Sequence, residues 1–344
     1  MELGIGMFGD VTFNLQTNSY QSSAERLKEI IAEVRLADEL KIDHFLMGEH
    51  HRADYAVAAP EIVLAALSTV TKNIKLASGV SVLSSADPVK VFQDFAMIDL
   101  LSNERAEIVA GRGSFIESFP LFGFDLQNYE ALFEEKLDLL YQLNQNKIIT
   151  WQGKFRAPIL KQTIYPRPQR KLPIWIAVGG TPASVERAAK YGMPIVFAII
   201  GGRVSQFKPL IDYYKEQYIH YGHDPAKMQI SVHSHTAVSD SKEELFKNYY
   251  PHYAASMNRI GRERGWSPYT EMQFQYGMGK EGALFMGTSE QVAEKIIETI
   301  ELFGLTRFTA HIDVGGPGHQ NIMKTIELYG TKVIPLVKKH FDNL

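Results

Sequence analysis

Short apolar segments alternate with longer stretches of helical periodicity from one end of the chain to the other. Segments with strand character span 3–8, 44–47, 75–82, 106–110, 174–178, 195–198, 229–233 and 307–312. Segments with helical spacing or helix-start signals span 24–40, 60–71, 88–101, 129–143, 184–191, 205–221, 289–303 and 322–339. Such alternation is typical of a parallel sheet covered by helices, and eight repeats close a barrel. The sequence therefore predicts an α/β fold, the TIM (β/α)8 barrel.

The order of these segments predicts a single domain over residues 1–344, since no stretch rich in proline, glycine or serine is long enough to link two domains. Two connections exceed an ordinary β/α turn. One spans about 146–173, with a hairpin turn predicted at 151–154, and the other spans about 240–286, after the seventh strand. A long loop on the C-terminal face of a barrel is usually functional, so we expect the second insertion to be a lid.

Composition excludes several classes of function. The formal net charge of −3 provides no basic field for nucleic acid. The chain has no cysteine, which rules out disulfides, thiolate metal ligands and a cysteine nucleophile. No apolar run has membrane-spanning length, and residues 1–4 lack the features of a signal peptide. We therefore expect a cytoplasmic protein that has no membrane anchor.

Two predicted helices are apolar nearly all round. Segments 60–71 and 88–101 offer little polar surface to water, as the runs at 62–67 and 95–98 illustrate. An outer helix of a barrel should have a polar face, so these helices are expected to meet another subunit, as in a homodimer. The alternative is that the inserted segments cover them.

Residues suited to chemistry stand where the predicted strands end, which is where barrels place their active sites. Strand two ends in Glu49, His50 and His51. A histidine there is suited to general-base work, to metal binding, or to a purely structural polar cluster. Strand three contains Gly79, which either permits close approach of a ligand or relieves a kink in the barrel.

Strands four and five end in glycine-rich turns. Arg112 lies between Gly111 and Gly113, so that a guanidinium stands beside bare backbone amides and is suited to an anion or a ring. The alternative is an arginine that faces solvent from a flexible turn. After strand five, the segment 178–184 has Thr181 as helix cap, Pro182 in the first turn and two preceding glycines. This is the composition of a phosphate-binding helix start, although it is also that of an ordinary strand-to-helix turn.

Two competing interpretations also follow from the residues. His233 and His235 lie on one face of a strand and could form a hydrolase metal site with His50, His51 and Asp313. No lysine or carboxylate ends strand four to bridge two metals, so we expect no metal.

The segment 4–9 matches the glycine spacing of the dinucleotide fingerprint. No strand precedes it and no helix begins from it, so the fingerprint lacks its structural context.

Five motifs occur in order along the chain: Glu-His-His at 49–51, Gly79–Val80 with Asp-Pro at 87–88, Gly-Arg-Gly at 111–113, Val-Gly-Gly-Thr-Pro at 178–182, and the segment 287–292. Together they resemble the bacterial-luciferase-like family of flavin monooxygenases over essentially the whole chain. The resemblance implies a TIM barrel with a lid insertion after strand seven, reduced FMN supplied by a separate reductase, and a dimer.

The resemblance also implies residue roles. His50 matches the active-site histidine, Gly79–Val80 the non-prolyl cis peptide under the flavin ring, and Arg112 the arginine of the phosphate site, while the phosphate loop matches Gly180, Thr181 and Ala183. The expected flavin-binding residues are Gly79, Val80, Gly111, Arg112, Gly113, Gly179, Gly180, Thr181 and Ala183.

This sequence also departs from the family pattern. Gly111 stands in place of a reactive cysteine, Gly179 in place of a glutamate, and Glu130 in place of a second phosphate-binding arginine.

The expected activity is oxidation of a small organic substrate by O2 and reduced FMN, as in an alkanal monooxygenase, with His50 as base or proton donor. Relatives of the same fold use a deazaflavin for hydride transfer, and others only hold flavin without catalysis. The overall acidity of this chain favours FMN, since the deazaflavin tail is longer and more anionic.

Overall fold

The computed structural model describes residues 1–14, 17–113 and 115–342, and its centre is a closed ring of eight parallel strands. The barrel strands are β1 (Glu2–Met7), β2 (His44–Met47), β3 (Lys75–Ser78), β4 (Ala106–Gly111), β5 (Ile174–Val178), β6 (Ile195–Ala198), β7 (Ile230–Val238) and β8 (Arg307–His311). Each strand pairs with the next in chain order, and β8 closes the ring on β1 through five register pairs. The predicted TIM barrel is confirmed.

Helices surround this ring, one after each strand. They are α1 (Ser23–Glu39), α2 (Pro60–Val70), α3 (Pro88–Ser102), α4 (Tyr129–Gln145), α5 (Pro182–Lys190), α6 (Lys208–His220), α7 (Ser289–Phe303) and α8 (His319–Leu328), with a π-helical turn Tyr329–Val333 leading into α9 (Ile334–Asp342). Helix α7 begins with a capping box, in which Thr288 and Gln291 cap each other's backbone N–H groups.

Two strand predictions differ from the structure. Strand β3 stops at Ser78, and the chain pairs with β4 again only at Ser81–Val82. The peptide bond that separates these pieces, Gly79–Val80, is cis, as the family resemblance implied. Strand β7 continues to Val238 rather than ending at His233, because its last residues gain a second partner strand, Phe285–Gly287.

The two insertions have their own secondary structure. The first contains an antiparallel hairpin of Ile148–Trp151 with Ile159–Thr163, close to the predicted turn. The second contains three helices, Lys242–Asn248, Tyr250–Arg264 and Glu271–Met278, which we call the lid helices. An apolar cluster anchors them to the barrel. Its buried members are Ala237, Leu245, Tyr249, Tyr253, Phe274, Leu284 and Met286.

The glycines of segment 4–9 have a packing role in the barrel. A β-carbon on Gly4 would lie 2.4 Å from the ring of His44, and one on Gly6 would lie 3.2 Å from Cε1 of His233. Both histidine rings are buried inside the barrel, so glycine is needed where they cross β1. The spacing that imitates a dinucleotide fingerprint is therefore explained by barrel packing.

Helices α2 and α3 present large apolar side chains at the surface. Ile62 is 69% exposed, Leu101 57% and Met97 46%. The first insertion reaches α3 through a 3.0 Å ion pair of Arg156 with Asp87, but it leaves these three side chains uncovered. Within the described ranges, no helix combines the length and apolarity needed to cross a membrane.

Candidate active site

A narrow cavity of about 350 Å³ opens where the barrel strands end. Seven of the ten predicted site residues line this cavity, which we call the slot. They are His50, Gly79, Val80, Gly111, Arg112, Gly113 and Gly179. The other three, Gly180, Thr181 and Ala183, follow Gly179 at the start of α5. Residues that are distant in sequence therefore meet because successive parallel strands end on one face.

The walls of the slot are apolar and closely packed. A β-carbon on Gly111 would lie 2.7 Å from Cγ2 of Val80, so position 111 must be glycine for Val80 to sit where it does. Glu49 supports the same wall, since its Oε2 accepts the backbone N–H of Val82 at 2.9 Å and its Oε1 lies 3.1 Å from Nε2 of His51. Glu49 and His51 therefore shape the slot, and of the two only Glu49 lines it.

His50 lies among aromatic rings at the edge of the slot. Its side chain is almost fully buried, with ring centroids 4.3 Å from Tyr55, 4.8 Å from Phe8 and 5.0 Å from Phe115. Nδ1 of His50 lies 3.6 Å from Oε1 of Glu117. Burial raises the pKa of Glu117, but the hydrogen bond to His50, a backbone hydrogen bond and the charges of His50 and Arg52 together leave the pKa below its ordinary value. The carboxylate of Glu117 is therefore placed to stabilise a protonated His50. The sequence analysis did not identify Glu117.

The opposite end of the slot is polar and open. Arg112 contacts the carboxylate of Glu130 and lies 3.4 Å from Oγ1 of Thr181. A second cation, Arg187 of α5, lies 3.3 Å from the same carboxylate. β-carbons built on Gly179 and Gly180 would meet no atom within 4 Å, so bare backbone faces open space at the start of the helix. This arrangement suits an anion, because a helix N-terminus and an arginine both favour negative charge.

Three histidines complete the slot, and the sequence analysis recognised only two of them as candidates. His233, His235 and His311 all line it, but only the first two were recognised as candidates. His311 lies two residues after Thr309, which accepts or donates a 2.7 Å hydrogen bond with His44 inside the barrel. The alternation of side chains along β8 was the signal that could have placed His311 on the same inner face.

The proposed hydrolase metal set is not assembled. Within the described residues, potential ligand atoms come within 4.8 Å of one another in two groups, Asp10 with His311 and Asp313, and Glu29 with Glu33 and His319. Neither group contains any of the four histidines of the predicted set. In the first group both ring nitrogens of His311 already form hydrogen bonds, to His233 and to Asp313. No ring lone pair is therefore left for an ion.

A second cavity, of about 800 Å³, lies under the lid helices and shares Phe8, Ile200, His235 and His311 with the slot. Most of its other side chains are apolar or aromatic. They include Tyr55, Phe115, Tyr253, Met257, Ile260, Trp266, Tyr269, Met272, Tyr276, Leu284 and Val314. This substrate-sized chamber, which we call the lid cavity, therefore adjoins the slot through a common wall and favours apolar molecules.

The lid helix Tyr250–Arg264 is tied across the mouth of the barrel by ion pairs. Arg52 contacts both carboxylate oxygens of Glu263, at 2.6 and 2.9 Å, and Arg259 lies 2.8 Å from Asp54. Both partners on the barrel side belong to the loop that follows His50. The same loop therefore carries the candidate base and holds the lid.

Comparison with known proteins agrees with this arrangement. Residues 6–307 match the family described as luciferase-like monooxygenase. The alkanal monooxygenase alpha chain of Aliivibrio fischeri is 23% identical, over 96% of this chain and 99% of its own.

Solved structures share the fold at lower sequence identity. The monooxygenase RslO1 of Streptomyces bottropensis superposes with a TM-score of 0.83 at 23% identity, covering 97% of this chain and 99% of its own. The oxygenating component of 3,6-diketocamphane monooxygenase of Pseudomonas putida, solved with FMN, gives 0.78 at 18% identity and 98% coverage of both chains. The coenzyme F420-dependent tetrahydromethanopterin reductase of Methanopyrus kandleri gives 0.73 at 17% identity, covering 97% and 98%.

The similarity thus extends over nearly the whole chain and includes proteins that use either FMN or coenzyme F420. The family match over residues 6–307 runs from the end of β1 to the first residue of β8 and so includes six complete barrel strands, β2 to β7. This chain belongs to the luciferase-like monooxygenase family.

Proposed function

We propose that this chain is a single-domain flavin-dependent monooxygenase that uses reduced FMN and O2 to oxidise a small organic substrate. The observation that carries the proposal is the junction of two cavities: a slot with an anion-binding end, and an apolar chamber under a lid. A flat cofactor with a phosphate tail suits the first, and an apolar substrate suits the second. Their common wall would bring the two reactants together.

The residues of the slot fit FMN. Val80, Val109 and Val196 provide apolar surface for a flat ring system, and the cis peptide at Gly79–Val80 lines the same cavity. Arg112, with the open backbone at Gly179 and the start of α5, would hold the single phosphate. The predicted flavin residues are therefore proposed as the cofactor site, with Arg187 added to the phosphate end.

When bound, reduced FMN supplies the electrons that activate O2. The protein has to exclude water and manage protons around that chemistry. Phe8 and Ile200 line both cavities and form apolar surface where the two meet. His50 would hold or release a proton at its ring, with Glu117 stabilising the charged form.

The substrate would enter beneath the lid helices. Apolar and aromatic side chains cover most of the lid cavity, so substrate binding would depend mainly on burial of apolar surface. The ion pairs of Arg52 and Arg259 would keep the lid helix over the bound substrate and so protect the reaction from water.

The proposed partners are a second copy of the chain and a separate flavin reductase. Ile62, Met97 and Leu101 form an uncovered apolar surface on α2 and α3, and a homodimer that uses this surface would bury it. A separate reductase is proposed because the family resemblance implies reduced FMN that is supplied from outside the chain.

The test is an anaerobic binding titration of the purified protein with reduced and oxidised FMN, with zinc and coenzyme F420 as controls. Preference for reduced FMN, followed by substrate-dependent oxygen consumption, would support the proposal. Preference for F420, with hydride transfer in the absence of oxygen, would replace it with the deazaflavin function. Absence of flavin binding together with stoichiometric zinc binding would overturn both.

A further inference from the structure

The side chains of His233, His311 and Asp313 form a buried row of hydrogen bonds that ends at the slot, and we call this row the line. Nε2 of His233 lies 2.8 Å from Nδ1 of His311, and Nε2 of His311 lies 3.1 Å from Oδ1 of Asp313. All three side chains are buried, and His233 and His311 line the slot. The line crosses from β7 to β8, whose residues 233 and 309 stand side by side in the sheet.

The groups around Asp313 favour the ionised form of its carboxyl. Its carboxylate accepts backbone N–H groups from residues 8, 9 and 10 at 3.0, 2.8 and 3.2 Å, and it lies 3.4 Å from the guanidinium of Arg26. Burial raises the pKa of Asp313, but the hydrogen bond from His311 and the charge of Arg26 bring it below its ordinary value. An acceptor with this many donors has no proton of its own to give.

The charge of Asp313 fixes the order of protons along the line. Nε2 of His311 must donate to the carboxylate, which leaves Nδ1 of a neutral His311 as an acceptor. Nε2 of His233 must then donate to that nitrogen. The remaining nitrogen, Nδ1 of His233, carries a lone pair and forms no hydrogen bond with any described residue. One basic nitrogen of defined orientation thus belongs to the wall of the slot.

We propose that His233 is a second proton-accepting site of the slot, held in one tautomer by the positioning residues His311 and Asp313. A proton taken up at Nδ1 of His233 lets its Nε2 proton pass to Nδ1 of His311. The bond of hydrogen to Nε2 of His233 breaks as the bond to Nδ1 of His311 forms, and no electron is transferred. The positive charge then lies on His311, beside the carboxylate of Asp313.

The surroundings favour this location of the charge. Burial, with the neighbouring His311 and His235, lowers the pKa of His233, so a charge is disfavoured on His233 itself. Burial and the charge of Asp313 raise the pKa of Asp10, which disfavours a second negative charge beside Asp313. The other titratable or charged groups that face this line are Arg26 on α1, His44 on β2 and His235 on β7.

This site is separate from His50. Phe8 stands between them, with its ring centroid 4.8 Å from that of His50 and 4.1 Å from that of His311. His50 belongs to the loop after β2 near the lid cavity, whereas His233 lies inside the barrel. The slot would therefore have one proton site at its edge and another within its wall.

The inference rests on the proposed function for the identity of the bound molecule, but the order of protons can be tested without it. Nitrogen-15 NMR of histidine-labelled protein near neutral pH should show His233 and His311 both neutral and protonated at Nε2. The variants His233→Gln and His311→Gln would assign the signals. A proton on Nδ1 of His311, or a charged His233, would overturn the proposed order.

Proton uptake on binding of reduced FMN tests the proposed proton transfer from His233 to His311. Anaerobic calorimetry with reduced FMN, in buffers of different ionisation enthalpy, should show that the native protein takes up a proton on binding. The variant His311→Gln should not take up this proton. His223→Gln is the control, since His223 contacts the backbone oxygen of Lys190 and lines neither the slot nor the lid cavity, and this variant should retain the uptake. Equal uptake in His311→Gln would overturn the proposal. If native protein binds no flavin, the proposed function fails, and so does this step, whereas the tautomer measurement still decides whether the line exists.

Discussion

The side chain of Val80 fills the space in which a β-carbon on residue 111 would stand, with only 2.7 Å between that position and Cγ2 of Val80. This contact requires glycine at residue 111, where the family resemblance implies a cysteine. A cysteine there would not fit beside Val80. The shape of the slot is therefore set by a pair of residues on adjacent strand ends.

Gly111→Ala should lower the free energy of unfolding by about 1–3 kcal/mol, the usual cost of forcing a methyl group into a packed site. Urea unfolding of the protein measures this change. The same substitution in a Val80→Ala background should cost much less, because the clashing methyl groups are gone. Equal costs in both backgrounds would contradict the packing explanation.

The anion end of the slot should respond in opposite directions to two substitutions. Arg112→Gln should weaken FMN binding about tenfold, which corresponds to about 1.4 kcal/mol. Glu130→Gln should strengthen binding, because it removes a carboxylate that competes with phosphate for Arg112 and Arg187. Fluorescence titration measures both affinities.

Riboflavin, which has no phosphate, is the control ligand for this pair of variants. Its affinity should hardly change in either of them. A parallel change for riboflavin and FMN would mean that residues 112 and 130 affect the ring site rather than the phosphate site.

His50→Asn should reduce substrate-dependent turnover by about 10²–10⁴-fold, the range expected for loss of a general acid or base. Binding of FMN should change little, since His50 lies at the edge of the slot. The adjacent His51→Asn is the control, because His51 contacts Glu49 and does not line the cavity. If His51→Asn reduced turnover as much as His50→Asn, the assignment to His50 would be wrong.

The ion pair of Arg52 with Glu263 should control lid opening rather than global stability. Glu263 is half exposed, and such pairs contribute about 0.2–1 kcal/mol. Glu263→Gln should therefore speed hydrogen exchange in the lid helix Tyr250–Arg264 and raise KM, with little change in urea midpoint. Glu271→Gln, on a different lid helix, should leave exchange in Tyr250–Arg264 unaltered.

Lys295 makes a pH-dependent contribution to the free energy of unfolding, and the sign of this contribution can be worked out. Its ammonium donates to the backbone oxygens of Gly279 at 2.7 Å and Leu284 at 2.8 Å, and burial lowers its pKa to about 8 from an ordinary 10.5. Between these values the unfolded chain holds a proton that the folded chain has released. The free energy of unfolding contributed by Lys295 therefore rises with pH across this window.

The measurement for Lys295 is a comparison of urea unfolding with the variant Lys295→Met from pH about 7 to about 11, across the interval set by the two pKa values. The native protein should gain stability relative to the variant by about 1–3 kcal/mol as pH rises, because a difference of one in pKa between the folded and unfolded chains corresponds to about 1.36 kcal/mol. A stability difference that stays flat, or that falls with pH, would contradict the burial of this ammonium.

The sequence by itself determined the architecture and the location of the slot. The alternation of short apolar segments with helical periodicity predicted all eight barrel strands, because a barrel strand is buried on both faces and an outer helix on only one. Glycine-rich strand ends and an arginine between two glycines, together with the family resemblance, predicted seven residues that do line the slot. These features are local in the chain, and parallel strands that end on one face bring them together without further information.

Tertiary structure alone decided the features that depend on contacts across the chain. Position 111 is glycine because of Val80, and Gly4 is glycine because of the His44 ring. Glu117 faces His50, and Arg187 joins Arg112 around Glu130, only through loop and helix packing. The line from Asp313 to His233 joins two strands and depends on hydrogen-bond distances of about 3 Å. No local sequence pattern encodes such distances. Each distance depends on how two elements that are far apart in the chain are placed relative to each other, and the periodicity within either element does not determine that placement.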